Sequence, residues 1–301
     1  MGYVHALDDI SLDVASGESI GIVGETGSGK STLGKAVLEI LPPRTEVKGS
    51  LFFRGEELGQ LDKARIRHIR GEEIALIFQD PMTRLNPLMT IEDHFIETIK
   101  AHQRVSRHEA LARAEAALAS MRVPESRIGN YPHEFSGGMR QRIMIALALV
   151  LNPSLLVADE PTTSLDVIVE AQILEILEDL KRTYKMSLLL ITHNLGIVAE
   201  VCDRVAVFYA GKIVEVGSVD DIFTRPVHPY TRLLLQSIIH LDTKELHSID
   251  GVPPDLLSPP TGCRFHPRCP YAQAVCQEKI PPLEQFRKDQ LAACHFGKDF
   301  L

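Results

Sequence analysis

The period of apolar and polar positions changes several times along the chain. Ile10, Leu12 and Val14 alternate with polar neighbours, the two-residue period of a strand with one face buried. Ser16-Gly17-Glu18 then turns the chain into the apolar run Ile20 to Val23, which reads as a short buried strand. A glycine-rich stretch follows, and the pattern becomes helical from Leu33 to Leu41, stopped by Pro42-Pro43. Ser106, with Glu109 three positions on, forms a capping-box pattern ahead of Leu111, Ala114, Leu118 and Met121, which share one helical face and end before Pro124. Residues 85–130 therefore read as a helical insertion. Ile143 to Leu151 is a strongly apolar helix, and Leu155 to Ala158 a second buried strand. Strands alternating with helices predict an α/β fold.

Composition narrows the class. A chain of 301 residues is long enough for about two domains and a substantial core. Hydrophobic residues at 45% and charged residues at 24% exclude disorder, collagen and low complexity. With 32 basic against 40 acidic residues, the net charge of −8 gives no global positive field for nucleic acid or anionic lipid. The apolar run Ile143 to Leu151 falls short of the roughly 20 residues a spanning helix needs, so membrane contact is expected through a partner. Met1-Gly2-Tyr3-Val4-His5 carries no basic stretch leading into an apolar run, and a cytoplasmic location is expected. Val252-Pro253-Pro254 and Ser258-Pro259-Pro260 read as extended linker, which places a boundary near residue 240.

Three segments carry chemistry. Gly24-Glu25-Thr26-Gly27-Ser28-Gly29-Lys30-Ser31, followed by Thr32, matches G-x-x-x-x-G-K-[ST] between a strand and a helix. Its glycines let successive N–H groups converge on phosphate oxygens at a helix start; Lys30 reaches the β- and γ-phosphates, Ser31 offers its hydroxyl to Mg²⁺, and Thr32 contacts phosphate. Asp159-Glu160-Pro161 puts two carboxylates at a strand's C-terminal end, Asp159 to hold Mg²⁺ through water and Glu160 to deprotonate the water that attacks the γ-phosphate. Ser136-Gly137-Gly138 opens the helix before Ile143 as a second anion site or, read alone, an ordinary N-cap.

In order along the chain, loop 24–32, Gln79 in Ile77-Phe78-Gln79-Asp80-Pro81, segment 135–142, strand 155–160, Ser164-Leu165-Asp166 and Ile191-Thr192-His193 resemble the ATP-binding subunits of ATP-binding-cassette transporters. The resemblance implies a P-loop NTPase cassette at residues 1–240, with a mixed sheet core, an antiparallel β subdomain and a helical subdomain at about 85–150. It implies ATP and Mg²⁺ as cofactors. Gln79 would touch Mg²⁺ and the attacking water and report to the membrane partner, and His193 would contact the γ-phosphate; read singly, both are polar loop or strand-end residues. Two cassettes, identical or related, would close head to tail, with Ser136-Gly137-Gly138 of one capping ATP on the loop of the other and Asp166 at the interface. The family also carries a further strand ahead of an adenine-stacking aromatic; Tyr3 is the candidate, with Val4 an alternative contact to the base. Met139 stands where the family usually has glutamine, a departure similar to the peptide-importer branch.

The tail, residues 241–301, narrows the resemblance. Gly262-Cys263-Arg264-Phe265-His266-Pro267-Arg268-Cys269-Pro270, then Cys276 and Ala293-Cys294-His295, resembles the C-terminal extension of ATP-binding subunits of dipeptide, oligopeptide and nickel importers, as does the helix-like stretch 227–235. Four cysteines in a chain expected to be cytoplasmic are read as metal ligands rather than disulfides. The resemblance implies a 4Fe–4S cluster on Cys263, Cys269, Cys276 and Cys294; structural zinc, with His266 or His295 replacing a cysteine, and free thiols stay open. Cys202 reads as packing.

The expected function is thus an ATPase subunit powering import of peptides, or a related solute such as nickel. Its partners would be a second ATP-binding subunit, two transmembrane permease subunits and, through the complex, an extracytoplasmic substrate-binding protein, placing it peripherally at the cytoplasmic face. The alternative is a soluble cassette ATPase acting on nucleic acid or ribosomes, supported by the basic stretch 63–70, which also reads as a solvated helix face.

Overall fold

The computed structural model describes residues 2–78, 84–162, 166–237 and 248–301. β1 (Ser19–Val23) is wholly buried and leads through the glycine loop into α1 (Lys30–Val37). The helix stops at Val37 rather than Leu41 because Glu39 takes a left-handed φ of 52°, and the Glu39 and Ile40 amides close on the Ala36 and Lys35 carbonyls. β2 (Phe52–Phe53) and β3 (Glu56–Glu57) form a small antiparallel pair ahead of α2 (Lys63–His68) and β4 (Ile74–Ile77). The helices α3 (Ile91–His102), α4 (Arg107–Ser120) and α5 (Gly137–Leu149) precede β5 (Leu155–Asp159). Then come α6 (Val167–Tyr184), β6 (Ser187–Ile191), α7 (Leu195–Val201) and β7 (Arg204–Tyr209). β8 (Lys212–Ser218), α8 (Val219–Thr224) and α9 (Pro229–Gln236) follow, and the tail holds α10 (Ala274–Glu278), β9 (Glu284–Arg287) and β10 (Gln290–Ala292).

The chain divides into two compact units, residues 1–14, 18–33 and 190–301 in the first and 15–17 and 34–189 in the second. In the first, the strands run in the order β1-β7-β8-β10-β9. β1 and β7 are parallel, from Ile20 against Arg204 to Val23 against Val207, while β8, β10 and β9 continue antiparallel. A parallel pair needs a crossover, and here it brings the C-terminal end of β1, with its loop, to one end of the sheet. The tail joins this sheet: Leu291 registers with Val216 and Ala292 with Glu215. Ile10, Leu12 and Val14 are half-buried and Ser11 and Asp13 exposed, as the alternation predicts, yet the segment forms no strand among the described residues.

In the second unit β4 and β5 are parallel, Ile74 against Leu155 to Ile77 against Ala158, with β6 beside β5. Residues 85–130 are helical as expected. The Ser106 hydroxyl accepts the Glu109 N–H at 3.1 Å, but the Glu109 carboxylate turns to Arg113 at 2.6 Å and leaves the capping box half made. Ala114, Leu118 and Met121 are buried on the expected face, and Ala110, not Leu111, completes it. Ile143, Ile145 and Ala146 of α5 are fully buried, as are Ile74, Ile77, Leu156 and Val157. Each large side chain among them contributes about 1.5–3 kcal/mol of transfer free energy. No helix among the described residues is long and apolar enough to cross a membrane.

Candidate functional site

The loop after β1 is shaped by its glycines. Gly24, Gly27 and Gly29 have φ values of 145°, 81° and 104°, a region closed to most side chains. A Cβ on Gly24 would lie 2.1 Å from the Phe208 carbonyl oxygen, and one on Gly29 2.3 Å from that of Ala6, whereas among the described residues one on Gly27 would meet nothing within 4 Å beyond its chain neighbours. The loop is therefore pressed against its own unit at Gly24 and Gly29 and exposed at Thr26 and Gly27. α1 begins at Lys30, so the amides entering it belong to a first helical turn, which has no intrahelical acceptors. The buried Lys30 ammonium donates to the carbonyls of Gly24 at 2.7 Å and Glu25 at 2.9 Å. The Ser28 hydroxyl is buried and has no hydrogen-bond partner among the described residues. Helix-start amides, a buried cation and an orphaned hydroxyl fit a polyanion such as a triphosphate.

Glu25 anchors this loop. Its N–H donates to the Tyr230 hydroxyl at 2.9 Å, and both its carboxylate oxygens accept from Arg268, at 2.6 and 3.0 Å. Neither Tyr230 nor Arg268 is singled out by the sequence; an acidic residue inside an anion-binding loop is the signal that a cation is needed nearby. His193 is exposed beyond β6, in the same unit, where the Thr192 N–H donates to the Ile22 carbonyl at 3.2 Å and Asn194 caps α7. Tyr3 and Val4 are 71% and 60% exposed.

The second unit gathers another set. Asp159 is buried at the end of β5, and Glu160 follows with a left-handed φ of 52°, a conformation costly for a non-glycine residue. Ser136 caps α5 by accepting the Met139 N–H at 3.4 Å. Gly138 is pressed against Val169, where a Cβ would come within 2.8 Å of a methyl group, and the Val169 N–H donates to Asp166 at 3.0 Å. The buried Gln141 donates to the Pro161 carbonyl. Ser136-Gly137-Gly138, Asp159-Glu160 and Asp166 thus share one region of this unit, with Gln141, unforeseen from the sequence, tying α5 to the carboxylate segment. Gln79 lies outside the described residues, as do Ser164 and Leu165. The basic stretch 63–70 is largely spent internally: Arg65 pairs with Glu56 at 2.7 Å and with Glu73, and Arg70 donates to the Leu38 and Glu39 carbonyls.

In the first unit Cys263, Cys269, Cys276 and Cys294 line one cavity, alongside Phe265 and His228. Burial, reinforced by the neighbouring cysteines, pushes the Cys263 and Cys294 thiols up to about 11 and raises Cys269 as well. Among the described residues no group of three or more His, Cys, Asp or Glu side chains is drawn together closely enough for one metal ion. His266 is engaged with the Cys263 carbonyl and His295 with the Lys279 carbonyl, each at 2.9 Å. The four cysteines nonetheless face one cavity. Cys202 packs where Gly21 approaches it, as expected.

Beside this cavity lies a buried polar network. Glu215, fully buried, accepts N–H groups from Val227 at 2.7 Å and His228 at 2.9 Å and the Gln290 amide at 2.8 Å, and burial raises its carboxyl above the ordinary range. Nδ1 of His228 accepts the Tyr230 N–H at 3.0 Å and caps α9, and burial lowers the imidazole to about 3.

Residues 7–163 match a family model described as ABC transporter, and residues 214–276 match the oligopeptide/dipeptide transporter C-terminal region. The chain is 49% identical over 297 residues to the probable peptide ABC transporter ATP-binding protein y4tR of Sinorhizobium fredii, covering 96% of this chain and 89% of that protein. It is 46% identical over 297 residues to the oligopeptide transport ATP-binding protein OppD of Salmonella typhimurium, covering 97% and 88%. Among solved structures, the dimeric ATP-binding cassette MJ0796 in a post-hydrolysis state with ADP and Pi matches with a TM-score of 0.64 at 27% identity, over 71% of this chain and 90% of that one.

Proposed function

Because the chain belongs to the ATP-binding proteins of ABC transporters, in their oligopeptide/dipeptide branch, we propose that it is the ATP-hydrolysing subunit that powers import of peptides through a membrane permease. The observation that carries this reading is the loop 24–32, exposed at Thr26 and Gly27 and set at the start of α1 with Lys30 buried beneath it.

In this reading residues 1–240 are the ATP-binding domain and 241–301 its extension. Backbone amides of the loop and the Lys30 ammonium hold the phosphates, with Thr26, Ser28 and Thr32 along the cradle. Mg²⁺ is a hard cation suited to the Ser31 hydroxyl, the Asp159 carboxylate and Gln79, and when bound it neutralises the phosphate oxygens. Glu160 takes a proton from the attacking water, which breaks the bond to the γ-phosphoryl group and leaves ADP and phosphate. His193 orients the γ-phosphate, and Tyr3 or Val4 meets the adenine. Ser136-Gly137-Gly138 supplies a second helix start to ATP held by a partner cassette, identical or related, and Asp166 lies at that interface. Hydrolysis removes the bridge and reopens the pair, a nucleotide switch acting on the two transmembrane subunits and their extracytoplasmic substrate-binding protein. The chain would sit peripherally on the cytoplasmic face, without nucleic acid.

The four cysteines of the tail are assigned to a 4Fe–4S cluster, supported by their common cavity. Such a cluster would clip together a Pro-rich segment and release the thiol protons on loading.

The test is to reconstitute the chain with its permease and companion ATPase in vesicles. MgATP-dependent uptake of a labelled di- or oligopeptide is expected; a complex that hydrolyses ATP and moves no peptide would refute the import reading. Failure to bind MgATP at all would refute the ATPase.

A further inference from the structure

The tie between the cysteine-bearing tail and the phosphate loop has a chemistry of its own. Loop 24–32 carries one basic side chain, Lys30, and one acidic one, Glu25. A carboxylate at the second position of a triphosphate cradle repels the anion the cradle serves, unless it is neutralised. Arg268 supplies that neutralisation with a guanidinium whose side chain is only 5% exposed. All five of its N–H donors have acceptors. Nε donates to the Asp250 carbonyl at 2.8 Å; Nη1 to Glu25 at 2.6 Å and the Tyr209 hydroxyl at 3.3 Å; Nη2 to Glu25 at 3.0 Å and the Ile249 carbonyl at 3.1 Å. A surface ion pair held by one contact would be worth little, but this fork is bidentate and has an acceptor for every N–H.

The backbone of Glu25 is pinned as well. Its N–H is held by Tyr230, whose ring lies 4.6 Å from that of Tyr209 and 5.3 Å from that of Phe265. Its carbonyl receives Lys30 at 2.9 Å and the Ser28 N–H at 3.2 Å. Glu25 is thus the residue through which the tail holds the loop, and Arg268 is the tail's charged contact with it.

We propose that Arg268 is a positioning residue of the nucleotide site, acting through Glu25 to fix the start of the phosphate loop and to cancel the negative charge that would face the triphosphate. This rests on the reading of the loop as an ATP cradle. Its consequence is that the tail is a working part of the ATP site, and that ATP, with more charge than ADP, depends on it more.

The experiment measures equilibrium binding of MgATP and MgADP to the full-length protein, with folding checked by thermal unfolding, in wild type, Arg268→Gln, Glu25→Gln and the double variant. Arg268→Gln is expected to weaken MgATP binding by about tenfold and MgADP by a smaller factor. In the Glu25→Gln background the same substitution should cost much less, because the charge it exposes is gone. An Arg268→Gln affinity within twofold of wild type would overturn the proposal. So would an equal loss in both backgrounds, which would make Arg268 a packing residue of the tail. Should Arg268→Gln fail to fold, Arg268→Lys takes its place: it keeps the charge, gives up the fork, and should show a smaller loss that Glu25→Gln again removes. A persisting loss would overturn the idea. Wild type without affinity for MgATP would instead overturn the nucleotide reading itself, and this proposal with it.

Discussion

Glu160 presents its carboxylate from a backbone turned to φ 52°, just beyond a strand whose last residue, Asp159, is buried. Glu160→Gln keeps the shape of the side chain and removes its basicity, so ATP binding should persist while turnover of the assembled transporter falls by about 10²–10⁴. Near-normal turnover would exclude Glu160 as the base. Gly24→Ala probes the loop instead. Its Cβ would meet the Phe208 carbonyl at 2.1 Å, a backbone atom that cannot step aside, so MgATP affinity should be lost even though the added group is one methyl. At this scale spacing singles out Lys30, Ser31 and the two carboxylates as candidates, because motifs of this kind are built from consecutive residues. Arg268 was not legible: its partner lies 243 positions away, and no local period encodes such a pairing.

Elements show the same division. The apolar run Ile20 to Val23 and the Ser106 cap are local signals, and both appear as β1 and α4. β9 and β10 gave no such signal, since Gln290 to Ala292 is too short for a period and finds its place only by pairing with β8. The α9 cap supplies a prediction at this scale. His228 caps the helix through an unprotonated Nδ1, and its folded value of about 3 lies below the ordinary 6.5. A depressed value means stability that is present above about 6.5 and lost as pH falls towards about 3. Glu215, shifted upward, acts with the opposite sign and loses its contribution as pH rises. His228→Asn retains a capping acceptor without a titrating proton, so the wild type should lose more stability than this variant between about pH 7 and pH 4 in denaturant titrations. Parallel pH profiles would exclude His228 as the sensitive group.

For the whole molecule, the prediction concerns metal content. Full-length protein purified without oxygen should be brown and hold iron and acid-labile sulfide in roughly equal amounts, with Cys263→Ser losing both. Colourless protein carrying zinc would reverse the assignment. The family was legible from six motifs in order, whereas nothing in the composition of the tail pointed to the pairing of β10 with β8 or to the bond from Gln290 to the buried Glu215. Prolines mark where the backbone extends, but only packing decides what it extends along.

The pairing of β10 with β8 also guards the molecule against its own kind. Val214 and Val216 lie in a strand of nearly continuous burial, and the tail occupies hydrogen-bonding groups there that would otherwise be a template for any extended peptide. What faces outward instead is β9, four residues long and carrying Glu284 and Arg287, a poor seed for intermolecular stacking. A protease nick or a truncation that removed residues 284–301 would be felt as clumping at high concentration.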